Sequence, residues 1–274
     1  MAFKQGMSNE MQRRGTNIVI YGPSGAGKTT ICGDLADSEF GAPVTIIDVE
    51  GGTSVLSHRD DIDILNVTNE DHKGWSDVER IVDDIISGKR GFKNERGVNI
   101  GTLVEDNLSE LKTLALDHVV RNFDRKIDPK DRPDLNDYGK ATTMMLAHVR
   151  KLRDFARNSQ TNVVFIAWDI ALENDSGQVY KNAINLNPAF RRDFPGIVDC
   201  VGYLNVVMGR RVLSFEASRM TDAKFRRNGT EVANTIPDVL KYKDRGVKPL
   251  VDIINTLTGG IPFPRAKYAG LKDD

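Results

Sequence analysis

Residues 17–36 read NIVIYGPSGAGKTTICGDLA, and this stretch decides the fold class. NIVIYG is short, rich in β-branched residues and closed by a glycine, which is typical of a buried parallel strand. A glycine-rich turn follows, and after it comes a segment with helical spacing. A strand, a glycine-rich turn and a helix in this order indicate an α/β domain built on a parallel sheet.

The turn matches the pattern G-x-x-x-x-G-K-[ST], with Gly22, Gly27, Lys28 and Thr29 at the fixed positions. Its glycines let the backbone curl so that successive N–H groups point at phosphate oxygens. The lysine ammonium reaches the β- and γ-phosphates of a nucleoside triphosphate, and the threonine hydroxyl is a ligand for Mg²⁺. We therefore expect the protein to bind ATP with Mg²⁺ in a cradle of consecutive residues. These are Gly22, Pro23, Ser24, Gly25, Ala26, Gly27, Lys28, Thr29 and Thr30.

Length and composition allow one large α/β domain. The chain has 274 residues, of which 39% are hydrophobic, and its formal net charge is −1. This charge argues against a protein that is basic overall, although single basic faces are compatible with it. Alternating strand and helix patterns predict a mainly parallel central sheet with helices on both faces. We place an N-terminal arm at 1–16, an ATPase core at 17–240 and a C-terminal extension at 241–274.

The sequence shows no feature of a membrane or secreted protein. No stretch approaches the roughly 18 apolar residues that a membrane span requires, and the N-terminus lacks the apolar segment of a secretion signal. Cys32 and Cys200 show no metal-binding or redox spacing, so we interpret them as reduced thiols. We therefore expect a cytoplasmic protein that has no membrane partner.

Two adjacent acids, Glu105 and Asp106, follow the apolar stretch GTLV. A P-loop enzyme needs a carboxylate near Mg²⁺, usually at the end of another core strand. Four strand residues followed by Glu and then Asp favour Asp106 as the metal-side acid, with Glu105 at a position that is usually apolar. The opposite assignment, Glu105 beside the metal and Asp106 as the base, stays open at this point.

Hydrolysis also requires a group that polarises the attacking water. Glu50 follows the second apolar strand, PVTIID, and the carboxyl ends of parallel strands face the ligand crevice. Gly51 and Gly52 allow the backbone to turn away after it. Asp48 lies two residues earlier, on the same strand face, and is the second candidate.

These pieces together resemble the RecA-like branch of P-loop ATPases. The order IVIYGPSGAGKTT, TIIDVEGG, GTLVEDNLSEL and NVVFIAWD follows that branch. More narrowly, the chain is similar to a phage and prophage family of short ATP-binding proteins described as AAA-type nucleotide-binding domains. Some members are described as RecA-like single-strand annealing proteins of phage recombination. The turn DVEGG and the late TDAKFRRNG carry this resemblance, which covers roughly residues 18–229.

The resemblance implies roles for several residues. Glu50 would be the water-activating base, and Lys28 would act on the phosphates in catalysis. Lys224 and Arg226, within DAKFRR, would resemble the late Lys-x-Arg element that reaches a neighbouring subunit's nucleotide and neutralises charge on the γ-phosphoryl group. The strand VVFIAW would end at a sensor position, where Trp168 and Asp169 stand in place of the usual polar amide.

The resemblance also implies single-stranded DNA as a partner, bound by two segments near 121–137 and 170–195. Cations that follow phosphates and aromatic rings that stack on bases suit a single strand. Aspartates nearly cancel the charge of the first segment, so an ordinary solvated loop is the alternative there. The cations are Arg121, Arg125, Lys126, Lys130 and Arg132 in the first segment and Lys181, Arg191 and Arg192 in the second, where the aromatic residues are Tyr180, Phe190 and Phe194.

We therefore expect a RecA-like ATPase that forms a homo-oligomeric ring or filament in the cytoplasm of a bacterial host. It would act on single-stranded DNA in phage-type recombination or repair, alongside a phage or host single-strand-binding protein. One alternative is a nucleotide-dependent switch or accessory ATPase that acts on a protein partner. A P-loop kinase is a weaker alternative, because DVEGG and the late Lys-x-Arg element are not expected in that class.

Overall fold

The computed structural model describes residues 15–67, 74–88, 100–122, 132–225, 235–236 and 249–257. Ten strands and six α-helices lie in these ranges. The strands are β1 (Asn17–Gly22), β2 (Val44–Asp48), β3 (Ile62–Asn66), β4 (Thr102–Asp106), β5 (Asn162–Glu173), β6 (Val179–Ile184), β7 (Cys200–Val207), β8 (Arg210–Ser214), β9 (Lys224–Phe225) and β10 (Thr235–Ile236). The helices are α1 (Lys28–Gly33), α2 (Trp75–Ile86), α3 (Leu108–Asn122), α4 (Leu135–Ser159), α5 (Pro188–Ile197) and α6 (Pro249–Leu257).

The strands form a sheet in the order β10-β8-β7-β1-β5-β4-β2-β3, with β6 beside β5 and β9 beside β7. All neighbours from β7 to β3 along this path are parallel, and the strands at the β8 side are antiparallel. The predicted mainly parallel α/β fold is therefore confirmed. Because parallel strands end at one edge, the segments after β1, β2 and β4 meet at the carboxyl edge of the sheet.

A hydrophobic core lies on each face of the sheet. Val19 and Tyr21 of β1 point to one face, where they share a core with residues of α2, α3, α4 and α5. Ile18 and Ile20 point to the other face, where they pack with α1 and α6. The alternation along β1 follows from the two-residue period of a strand, and it explains why this strand is apolar on both sides.

Part of the expected C-terminal extension, 241–274, packs on the core. Helix α6 buries Leu250, Ile253 and Ile254, each at most 1% exposed, in the same core as Ile31 of α1. The extension therefore supplies a core helix. Thr16, the last residue of the expected N-terminal arm, is also buried, and its hydroxyl donates to Asn162 Oδ1 at 3.1 Å.

The segment 170–195 is not the irregular polar loop that its sequence suggests. Strand β5 continues to Glu173 and forms an antiparallel hairpin with β6, and α5 follows. Phe190 and Phe194 of α5 are at most 1% exposed. The ring of Phe194 packs against that of Phe165, with 5.7 Å between the ring centroids. Both phenylalanines are core residues, so the prediction that they stack on bases is wrong.

Helices long and apolar enough to cross a bilayer are missing from the described part of the chain.

Candidate nucleotide-binding and catalytic site

The glycine-rich turn between β1 and α1 forms the floor of the site. Gly22 ends β1, and a β-carbon there would lie 1.9 Å from the carbonyl oxygen of Leu204 on β7. Only glycine fits such a close approach of two backbones. Gly27 has φ +97°, a left-handed conformation that also favours glycine. The two glycines maintain the shape of the turn for steric reasons that do not depend on a bound ligand.

Lys28 lies inside the turn. Its ammonium donates hydrogen bonds to the carbonyl oxygens of Gly22 and Pro23, both at 2.8 Å, and the residue is only 7% exposed. Burial lowers the pKa of Lys28, while the nearby carboxylates of Asp106 and Glu50 act in the opposite direction. The ammonium therefore lies at the centre of the cradle and can exchange carbonyl partners for phosphate oxygens.

Thr29 and Asp106 meet across the site. The Thr29 hydroxyl donates to Asp106 Oδ2 at 2.6 Å, which joins the start of α1 to the end of β4. Burial raises the pKa of Asp106 to about 6, and the neighbouring carboxylates of Glu50 and Asp48 add to this, against the Thr29 hydrogen bond and Lys28. A buried carboxylate among other acids gains from a cation, so these residues fit Mg²⁺.

The two side chains are too few to hold a metal by themselves. Groups of three or more metal-ligating His, Cys, Asp or Glu side chains do not occur within the described residues. Mg²⁺ is usually bound by one or two protein groups together with substrate phosphates and water, so phosphate oxygens would have to complete the coordination shell here.

Glu50 lies just after β2, the strand next to β4, and its side chain is exposed. Asn107, which directly follows Asp106, donates its side-chain amide to Glu50 Oε2. The other end of the Asn107 side chain accepts from the backbone N–H of Glu110 at 2.8 Å and so caps α3. Asn107 thus links the start of a helix to the expected base.

Asp48, the second candidate for the base, has a structural role. Its Oδ1 accepts from the backbone N–H groups of Glu50 and Gly51, at 3.2 and 2.7 Å. Its Oδ2 accepts from the hydroxyl of Thr53 at 2.6 Å, and the residue is fully buried. Asp48 therefore shapes the turn that presents Glu50, and both of its oxygens accept hydrogen bonds from that turn.

Glu105 faces His148, on the side of the sheet opposite to Asp106, and this geometry favours Asp106 as the metal-side acid. Consecutive strand residues face opposite sides of a sheet, so Glu105 and Asp106 cannot both face the nucleotide. Glu105 Oε1 lies 2.6 Å from His148 Nε2, and His148 Nδ1 lies 2.5 Å from Glu79 Oε1. Glu79 also pairs with Lys151 at 2.9 Å. The acid-histidine-acid chain joins β4 to α4 and α2, and no motif in the sequence marks it.

Lys224 makes contacts within its own chain. It lies on β9, and its ammonium donates to the carbonyl oxygens of Pro195 and Val198, the latter at 2.9 Å, at the end of α5. In this position its charge stabilises a helix terminus of its own chain, and the expected trans-acting role of Lys224 stays a prediction. Arg226 lies outside the described residues.

The expected sensor position lies inside a continuing strand. The backbone N–H of Trp168 donates to the hydroxyl of Ser109 at 3.0 Å. Asp169 accepts from the hydroxyl of Tyr203 at 3.1 Å, and its charge contributes to the electrostatic environment of Lys28. Trp168 and Asp169 therefore connect β5 to α3 and β7, and neither side chain is the polar amide that is usual at a sensor position.

The described part of the expected DNA segments contains several paired cations. Lys181 pairs with Asp222 at 2.5 Å, and Arg192 pairs with Asp193 at 2.9 Å. Tyr180, by contrast, is 51% exposed on β6. Arg125, Lys126 and Lys130 of the first segment lie outside the described residues, whereas its outer members Arg121 and Arg132 lie within them.

Residues 14–227 match the profile of a family described as an AAA domain. Among solved structures, the crystal structure of the RadB recombinase is similar to this chain with a TM-score of 0.45 and 14% sequence identity, over 82% of this chain and 87% of that chain. No curated protein matches the chain.

Proposed function

We propose that this chain, which belongs to the AAA domain family, binds ATP with Mg²⁺ and hydrolyses it to ADP and phosphate. The observation that carries the proposal is the 2.6 Å contact between Thr29 and Asp106 beside the P-loop lysine. The test is ATP turnover by the wild type and by Lys28→Ala. Turnover by the wild type alone supports the proposal, and equal turnover by the two proteins contradicts it.

Each residue of the cradle has a defined task in this proposal. The backbone N–H groups of residues 22–30 bind the phosphate oxygens, and Lys28 neutralises charge on the β- and γ-phosphates. Thr29 and Asp106 would hold Mg²⁺ together with the phosphates. The metal ion would add positive charge at the β- and γ-phosphate oxygens.

Glu50 accepts the proton of the attacking water. The water oxygen bonds to the γ-phosphorus, the bond from that phosphorus to the β,γ-bridging oxygen breaks, and ADP leaves with the bridging oxygen. Asn107 holds the Glu50 carboxylate in one orientation through its amide. A base within hydrogen-bond reach of the water contributes typically 10²–10⁴-fold to such a step.

We further propose that single-stranded DNA binds beside the hairpin of β5 and β6. Strand β5 pairs with β1 only as far as Trp168, so the hairpin extends past the carboxyl edge of the sheet. Tyr180 offers an exposed ring for base stacking. Arg191 of α5 follows eleven residues later in the sequence, and its side chain is half-buried. The resemblance to RecA-like annealing proteins supplies the remaining support. On the same ground we propose a ring or filament, a single-strand-binding protein as partner and a role in phage-type recombination.

The DNA proposal is tested by the ATPase rate with and without a single-stranded oligonucleotide, read alongside the solution mass. Tyr180→Ala should remove most of the stimulation, whereas Tyr180→Phe should retain it because the ring is kept. Full stimulation in both variants would show that Tyr180 does not contact the DNA. A wild type that is not stimulated at all would contradict the DNA role.

One observation favours the switch that acts on a protein partner. Lys181, Arg192 and Arg121 are each paired with a nearby aspartate, at 2.5, 2.9 and 2.8 Å, which reduces the positive charge available to a DNA backbone. This function predicts slow ATP turnover that single strands do not change. The same DNA-stimulation assay therefore separates the two functions.

A further inference from the structure

Arg211 lies at the rim of the phosphate cradle, although no motif marks it. Strand β8 runs antiparallel to β7, which in turn pairs with β1, so β8 lies two strands from the P-loop strand. Leu213 of β8 is buried in the core that contains α1, and Arg211, two residues away, faces the same side of the sheet. Arg210 is one residue away and faces the opposite side.

The side chain of Arg211 covers Gly27. Its Cδ and Nε atoms lie 3.6 Å from the point that a β-carbon of Gly27 would occupy. Gly27 directly precedes Lys28 and ends the curled part of the turn. The guanidinium is therefore held next to the backbone that forms the cradle, on the β8 side, whereas Asp106 and Glu50 approach from the β4 side.

The charge of Arg211 has no counterpart in the described structure. Within the described residues, its side chain makes neither an ion pair nor a hydrogen bond, and the residue is half-buried. Lys28, the other cation at the turn, already donates to two carbonyl oxygens. A partly desolvated guanidinium without an acceptor suits an anion, and its planar fork of donors matches phosphate oxygens.

We propose that Arg211 binds a phosphate group of the nucleotide from within the same subunit. The proposal rests on the proposed nucleotide binding and adds a second protein cation to the cradle. The lysine at the centre and the arginine at the rim then hold the phosphate chain from two sides. This arrangement makes nucleotide affinity depend on β8, a strand that lies far along the chain from the P-loop.

The test measures equilibrium binding by calorimetry, with Mg²⁺ present, for ATP, ADP and inorganic tripolyphosphate. The proteins are the wild type, Lys28→Ala, Arg211→Ala, Arg211→Gln and Arg210→Ala. Arg211→Gln keeps most of the side-chain length without the charge, and so serves where the alanine variant is unstable. Arg210→Ala removes an exposed arginine from the other face of the same strand and is the matched control.

We expect both Arg211 variants to weaken binding of all three ligands about tenfold to a hundredfold, as loss of a charge-assisted hydrogen bond does. Arg210→Ala should bind within about twofold of the wild type. Wild-type affinity for ATP and ADP in the Arg211 variants would overturn the proposal. Weaker binding of the nucleotides with unchanged binding of tripolyphosphate would also overturn it, because the contact would then be to the base or ribose.

The proposed function fails in a different way. If the wild type binds none of the three ligands, or binds them as Lys28→Ala does, the P-loop is not the binding site and the Arg211 contact is refuted with it. If the wild type binds and Lys28→Ala does not, the P-loop assignment stands, and the Arg211 variants alone then decide the present proposal.

Discussion

Asn107 donates its side-chain amide to Glu50, and this bond fixes the expected base relative to the proposed metal-side acid, Asp106, which precedes Asn107 in the chain. The same side chain caps α3 through its carbonyl oxygen. The two contacts use different ends of one amide. Substitutions can therefore separate the cap from the contact with Glu50.

Asn107→Ser should lower the ATP turnover number about tenfold with little loss of stability. Serine is a good helix cap but cannot reach Glu50 with an amide donor. Asn107→Ala loses both contacts and should also lose about 1 kcal/mol of stability. The measurements are turnover at saturating ATP and thermal melting. Wild-type turnover in Asn107→Ser would show that Glu50 does not need this contact.

Asp106→Asn should weaken the dependence of nucleotide binding on Mg²⁺. The amide keeps the size of the side chain but removes the charge that favours the cation. Binding of a fluorescent ATP analogue, titrated with Mg²⁺, should require at least tenfold more metal, since even residues outside the ligand shell typically change metal affinity 10–100-fold. Binding without Mg²⁺ should stay the same or improve. An unchanged Mg²⁺ midpoint would remove Asp106 from the metal site.

His148 should make stability depend on pH. Desolvation opposes its charge, but the adjacent Glu105 and Glu79 carboxylates prevail and raise the pKa of His148 from 6.5 to about 9. Since the folded pKa is the higher one, the stabilisation is complete below pH 6.5 and is lost as pH rises through about 9. Glu79 behaves in the opposite sense. Burial acts to raise its pKa, but His148 and Lys151 lower that pKa from 4.5 to about 2. The contribution of Glu79 to stability is therefore lost only as pH falls below 4.5 towards 2.

His148→Gln should therefore lower the free energy of unfolding most at pH 5–6, by about 3–5 kcal/mol, the usual loss when one partner of a buried charged pair is removed. The difference from the wild type should shrink between pH 7 and pH 9.5. Urea unfolding at several pH values measures it. A difference that is constant across this range would show that His148 is not charged in the folded protein.

Lys224→Met should lower stability and leave turnover of the folded protein unchanged. Two carbonyl oxygens at the end of α5 would lose their donor, at about 1–3 kcal/mol. Thermal melting and ATP turnover measure the two effects. Loss of turnover at unchanged stability would instead support the trans-acting role.

Arg226 is tested by mixing subunits. If it acts on a neighbouring nucleotide, Arg226→Ala and Glu50→Gln subunits should each be inactive alone and should recover part of the activity when mixed. The recovered activity arises because some interfaces pair an intact arginine with an intact base. Absence of recovery in mixtures that form oligomers would place Arg226 outside the shared site.

The parts of the site that a short motif defines could be predicted from sequence. Gly22, Lys28 and Thr29 lie in one local turn whose spacing has a physical cause, and Asp106 follows from its place after an apolar strand. The choice between Glu105 and Asp106 could not be settled in the same way. The alternation of a strand shows that they face opposite sides, but the side that faces the nucleotide is set by which helices cover each face.

Other parts depend on tertiary contacts that leave no local pattern. Asp48 ends β2 and Glu50 lies two residues later, and only the hydrogen bonds of the turn show that the Asp48 carboxylate is used within the turn. Phe190 belongs to a helix whose flanks are polar, so the segment resembles a loop in sequence. Arg211 comes close to Gly27 because of the strand order, which the sequence of β8 does not encode.

The central claim is that Glu50 activates water for a triphosphate held by the P-loop. Single-turnover hydrolysis of ATP by Glu50→Gln tests it most directly, with bound ATP and ADP quantified over time. We predict that this variant binds ATP as the wild type does and hydrolyses it at least a hundredfold more slowly. Tight binding with hydrolysis at the wild-type rate would contradict the claim.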